Sequence, residues 1–117
     1  MIVIENLCVK VSDENGKHNY FYRMVKSEMS VTMLGGDTKV QAYGIEVERQ
    51  DIIDDMVVFI ERDCIQNISP QRHKVKNLIK MLYDNTVSPI HMVDILGEYI
   101  DEYITDFDEM LKNIATC

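Results

Sequence analysis

Two Ser-Pro dipeptides, Ser69-Pro70 and Ser88-Pro89, divide the C-terminal part of this chain into two stretches of helical periodicity. A serine hydroxyl can accept a free backbone N–H at a helix start. Proline suits the first helical position, where its missing N–H costs nothing. After Ser69, the residues Val75, Leu78, Ile79 and Leu82 recur at i, i+3, i+4 and i+7, which makes one apolar stripe. After Ser88, Val93, Leu96, Ile100, Ile104, Phe107 and Leu111 form a broader apolar arc at a period near 3.6, widened by Met92, Tyr99, Tyr103 and Met110. The break between them is short, so the two helices are expected to lie antiparallel. Leu78, Ile79, Leu82, Val93, Leu96, Ile100 and Phe107 are the expected buried set.

The two stretches carry opposite charge. In the first, Arg72, Lys74, Lys76 and Lys80 come before any acid; in the second, Asp94, Glu98, Asp101, Glu102, Asp106, Asp108 and Glu109 come before any base. Like charges at i, i+4 cost a few tenths of a kcal/mol per pair, so an unbroken acid strip is worse than stability alone requires. Either Arg72, Lys76 and Lys80 neutralise it within the chain, or it is open to a basic partner. Asp94, Glu98, Asp101, Glu102 and Asp108 are therefore the candidate partner-binding residues. The plainer alternative is a solvated face that aids solubility.

The N-terminal part reads as strands. Residues 2–11 alternate, with Val3, Leu7, Val9 and Val11 on one side. Asn15-Gly16 fits the centre of a type I′ hairpin turn, and residues 20–25 are expected to pair back on the first strand. Residues 38–48 alternate around Gly44, which marks a bulge or a close backbone approach. Residues 51–55 form an acidic turn. The continuous apolar run at residues 56–60 reads as a strand covered on both faces. The expected fold is α+β: an antiparallel β-meander of four to five strands (residues 1–68), then an antiparallel helical hairpin (residues 69–117), in one domain.

The formal net charge is −8, with seven bases against twelve acids up to residue 68 and five against eight beyond it. Neither half can neutralise phosphates, so neither nucleic acid nor an anionic membrane surface is an expected partner. The three cysteines, Cys8, Cys64 and Cys117, have no framework or zinc spacing. The opening residues alternate like a strand and lack a basic leader segment, so no signal peptide is expected. The reading is a cytoplasmic protein with reduced thiols.

Several groups could carry chemistry. Ser69, Arg72 and His73 sit at an expected helix start, where free N–H groups and cations could bind an anion. No glycine-rich loop precedes them to cradle a nucleotide. His91, Asp94 and Glu98 share one helix face, but one helix supplies only part of a metal shell, so no metal site is assigned. No cysteine–histidine pair is adjacent in sequence, and Glu46 and Glu48 read as ordinary strand acids. Eight methionines, among them Met29, Met33 and Met110, could fill a core or line an adaptable surface.

Residues 65–95 contain Ile65-x-Asn67-Ile68-Ser69-Pro70, a periodic helix, and Val87-Ser88-Pro89-Ile90-His91-x-x-Asp94-Ile95. Together with Tyr43-Gly44-Ile45, this order resembles the C-terminal signature of a small clostridial (Firmicutes) family, a domain of unknown function. The resemblance covers roughly residues 43–100. It implies a bacterial, cytoplasmic protein and carries no activity or catalytic residues. The functional expectation is a non-catalytic interaction or regulatory protein, whose partner is another protein or a second copy of the chain, with no cofactor. The alternatives are a small-ligand or anion-binding domain using the start of the first helix, and an enzyme with its site assembled across the sheet.

Overall fold

Alternation of apolar residues over long stretches, broken only by short polar turns, produces four antiparallel strands in sequential order. A computed structural model describes residues 1–33 and 35–116, with the side chains of residues 33 and 114–116 outside the description. The strands are β1 (Ile2–Asp13), β2 (Gly16–Met33), β3 (Gly36–Ile53) and β4 (Met56–Ser69). They form one sheet in the order β1-β2-β3-β4. Two helices follow, α1 (Arg72–Asp84) and α2 (Pro89–Thr116). The fold is thus α+β, a four-stranded meander and then two helices. Met33 and Cys117, noted in the sequence, lie outside the described side chains.

The turns differ from their expected chemistry. Asp13 pairs with Gly16, so the first turn is centred on Glu14 and Asn15 rather than on Asn15-Gly16. The Asp13 carboxylate accepts the Asn15 N–H at 2.8 Å, and only Gly16 takes a positive φ, of 118°. The two-residue turn with both central φ angles positive falls instead at Asp54 (51°) and Asp55 (63°), between the paired Ile53 and Met56. Aspartate tolerates that region better than most residues.

A register shift between Val3 and Glu5 moves Ile4, rather than Val3, onto the core side of β1. Gly44 marks a close approach of β3 to β4. The β3–β4 register shifts there, and a Cβ at Gly44 would collide with the Ile65 carbonyl oxygen.

The core lies between one sheet face and the helices. Tyr22 and Met24 of β2, Ile45 and Val47 of β3, and Ile68 of β4 meet Val75, Leu78, Ile79 and Leu82 of α1 and Met92 and Leu96 of α2. The Tyr22 hydroxyl donates to the Val87 carbonyl at 3.0 Å, fixing the α1–α2 connection on the sheet. Burial, with the neighbouring Tyr20 second, pushes the Tyr22 pKa well above the usual tyrosine range. The helices run antiparallel: Lys74 meets Asp106, and Met81 meets Tyr99.

Three expectations about burial and capping change. Val93 is 51% exposed and Ile104 53% exposed, while Ile100 and Phe107 are half-buried. The core-facing line of α2 runs through Met92 and Leu96 instead. Residues 56–60, read as covered on both faces, lie on the edge strand and are all exposed. Ser69 is the last residue of β4 and not the cap of α1, whose N-cap is Gln71 without a side-chain cap bond. Ser69 still accepts the Gln71 N–H at 3.0 Å. Ser88 directly precedes α2, and its carbonyl accepts the His91 N–H.

Candidate interaction surface

At about 100° per residue, α2 has one covered side and one open side. The covered side holds Met92 and Leu96 in the core and also meets α1: Tyr99 reaches Met81, Tyr103 lies under the Lys74 ammonium, and Asp106 takes that ammonium at 2.8 and 2.9 Å. The rest faces solvent and carries both the acids and a line of apolar residues.

Asp94, Glu98, Asp101, Glu102 and Asp108 are all exposed. Among the described residues, none of the five has a base within 4 Å. Asp106 is the exception in the strip: it is buried, paired with Lys74 and hydrogen-bonded by the Ser69 hydroxyl at 3.2 Å. The hydrogen bond from Lys74 to Asp106, the largest effect, raises the Lys74 pKa above the ordinary lysine range. Of the α1 bases, Lys74 pairs with Asp106 of α2, whereas Lys76 and Arg72 face β1 instead. Lys76 binds Glu5 of β1 at 2.5 Å, and Arg72 lies 3.8 Å from the same carboxylate.

The three residues considered for anion binding are differently placed. Arg72 and His73 line a shallow cleft of about 480 Å³ together with Glu5 and Lys76. Ser69 is buried against Asp106 and outside that lining. The carboxylate of Glu5 already supplies the negative charge in this cleft.

The sheet face away from the helices holds a charge ladder that the sequence reading passed over as ordinary strand acids. Glu48, 3% exposed, sits opposite Arg62 on β4. It accepts from Arg62 Nε at 2.6 Å, Gln50 Nε2 at 2.8 Å and Arg23 Nη1 at 3.2 Å, while Arg23 also binds Glu46 at 2.8 Å. Burial alone would raise the Glu48 pKa, but the hydrogen bonds from Gln50, Arg23 and Arg62 outweigh it and hold the carboxyl below its usual range. Cys64, beside this ladder, has its thiol pushed up by burial and by the charges of Glu46 and Asp63, so it is kept protonated and a poor nucleophile. Cys8 is exposed and free.

A cleft of about 500 Å³ at the β1–β2 turn is lined by His18, Asp51, Arg49 and Ser88 among others. These residue types invite a nucleophile reading, and the geometry gives it no support. His18 Nδ1 bonds Asp51 at 2.7 Å and Nε2 faces Asp13 at 3.3 Å, so both ring nitrogens are taken by carboxylates. Among the described residues, no group of three or more His, Cys, Asp or Glu side chains could hold a metal ion. No described helix is long and apolar enough to cross a membrane.

Sequence reasoning missed the apolar part of the surface. Ile90 (68%), Val93 and Ile104 project from α2, and Met56 (68%) through Ile60 project from β4. The two sets adjoin. Val58 and Ile53 share a cleft with Ser88, and Ile90 shares one with residues 61–63. The available signal was the width of the apolar arc on α2, which exceeds what one neighbouring layer can cover.

These features define the class: a small α+β protein with a self-neutralised sheet face and an open apolar and acidic helix surface. The chain belongs to the family described as a family of unknown function (DUF6514), whose model matches residues 1–102. The match includes the first forty residues, which the resemblance read from the sequence did not reach. No curated protein and no solved structure matches the chain.

Proposed function

We propose that this chain is a non-catalytic interaction protein whose α2 presents an acidic surface to a basic protein partner. The observation that carries this reading is the contrast within one helix. Asp106 turns inward and is paired, while Asp94, Glu98, Asp101, Glu102 and Asp108 are exposed with no base within 4 Å among the described residues, although α1 has bases to spare for Glu5. Free like charges on a helix reduce stability slightly and steer an oppositely charged partner strongly. The resemblance to a clostridial family supports a bacterial, cytoplasmic setting. The anion-binding alternative competes with the Glu5 carboxylate, and the enzyme alternative with the occupied ring nitrogens of His18.

A fluorescently labelled synthetic helical peptide, with leucines along one side and lysines flanking them, tests the reading by anisotropy titration. Binding should be saturable, weaken as salt rises, and be absent for the twin peptide with glutamates in place of lysines. Replacing Asp101, Glu102 and Asp108 by lysine should abolish capture of the basic peptide. Equal binding of both peptides, or no effect of the replacements, would rule the acidic surface out.

A further inference from the structure

Acids outnumber bases in this chain by 20 to 12, so a base that needs a partner has many to choose from. Every described arginine has a carboxylate within 4 Å, and on the sheet Lys39 finds Glu28. Lys10 of β1 and Lys17 of β2 depart from this pattern. Among the described residues neither has an acid within 4 Å, yet both line one cleft of about 360 Å³ at the β1–β2 hairpin.

The register explains how they come together. Lys10 stands opposite Asn19, and Ser12 opposite Lys17. Side chains alternate along a strand, so these four project to one face of the ladder. Lys10 and Lys17 are then diagonal neighbours, within reach of each other for long side chains, and their like charges repel. An anion between them removes that repulsion. The hydroxyl of Ser12 and the amide of Asn19 supply further hydrogen bonds. Ile52, opposite Lys17 on β3, and Val11 add apolar lining. The surroundings are braced before any ligand arrives: the His18 ring, also in the lining, is tied at both nitrogens, to Asp51 and Asp13, and Asp13 holds the Asn15 N–H.

We propose that this cleft binds a small organic monocarboxylate, with its carboxylate between Lys10 and Lys17 and its apolar body against Val11 and Ile52. Asp55, which shares the lining and has no base within 4 Å among the described residues, sets the charge of the ligand. One negative charge is held by two lysines, whereas a dianion such as a phosphate monoester meets the Asp55 carboxylate as well. The volume lies at the small end of the roughly 300–1,000 Å³ usual for ligand sites. The site uses none of the α2 surface, so it stands apart from the acidic-surface reading. It is also separate from the start of α1, where Glu5 already supplies the negative charge.

Titration of the full, isotope-labelled chain with sodium hexanoate at fixed ionic strength, followed by backbone amide chemical shifts, tests the proposal. The shifts should saturate and cluster at residues 10–19 and 50–55. Hexanol, which has the apolar body without the charge, should bind about tenfold more weakly, and hexyl phosphate no more tightly than hexanoate. Lys10→Gln and Lys17→Gln should each weaken hexanoate about threefold, since exposed charge pairs are modest, and the double variant about tenfold. Asp55→Asn should keep hexanoate bound and tighten hexyl phosphate about threefold. Both lysines are exposed, so circular dichroism of the variants should match wild type. Should a variant misfold, the wild-type comparison of hexanoate with hexanol decides alone. Equal binding of hexanol and hexanoate, shifts that do not saturate, shifts centred on Arg72 and His73, or unchanged affinity in the folded double variant would each overturn the proposal.

Discussion

The two helices make different use of the same kind of sequence. α1 is 13 residues long, and its apolar stripe of Val75, Leu78, Ile79 and Leu82 is buried completely. α2 is 28 residues long and apolar over a wider arc, and the sheet and α1 cover only part of it. A narrow stripe needs one neighbouring layer, and α1 has it. A wide arc needs more cover than the sheet and α1 together give to α2. The difference shows that the width of an apolar arc counts the neighbours a helix requires, some of which lie outside the molecule.

The largest test of this contrast is a pair of truncations. Leu82→Ala on α1 should cost roughly 2–5 kcal/mol, because it empties a fully buried site. Ile104→Ala on α2 should change the stability of dilute, monomeric protein by less than about 0.5 kcal/mol. Similar losses at both positions in chemical denaturation would place the outer side of α2 inside the fold and end the comparison.

The sheet offers a second contrast, between its two faces. The helix-covered face is held by apolar burial and the other by the Glu48 ladder. Glu48→Gln should cost roughly 1.5–3 kcal/mol by weakening charge-assisted hydrogen bonds. The Glu48 carboxyl titrates lower in the folded than in the unfolded chain, so its contribution is present above the ordinary value of 4.5 and lost as pH falls below it. The wild type should therefore lose stability on acidification more steeply than Glu48→Gln. Parallel pH profiles would remove the ladder from the account.

A smaller effect, of opposite sign, sharpens the argument for the open side of α2. Gly97→Ala should stabilise the monomer by about 0.5–1 kcal/mol, since nothing there obstructs a methyl group. A loss of stability on thermal unfolding would mean that the helix is closely approached within its own chain.

Much of this architecture is legible in the sequence, and the gaps have physical causes. The strand alternation, the bulge at Gly44, the helix breaks at the Ser-Pro dipeptides and the stripe of α1 follow from local pattern. The sequence context of Ser69 fits a helix cap. In the fold, Pro70 ends β4, and the serine hydroxyl serves Asp106 thirty-seven residues later, a partner no local pattern could name. Residues 56–60 read as a strand covered on both faces. Their composition states what such a strand needs; it cannot state whether the cover belongs to the same molecule. The acids of α2 are plain in the sequence, but which of them turns inward depends on the position of Lys74 across the helix pair. The exposed apolar line of α2 escapes the sequence because Val93 reads as core along with Leu96, when the arc, with Ile104 in it, holds two lines rather than one.

Amide hydrogen exchange of the wild-type chain tests the central claim most directly. Peptides covering residues 56–60, on the open edge, should exchange quickly in dilute protein, while residues 45–47, 78–82 and 92–96 stay protected. Slow exchange at residues 56–60 in dilute protein would show that the edge is already covered within one chain, and would contradict the account.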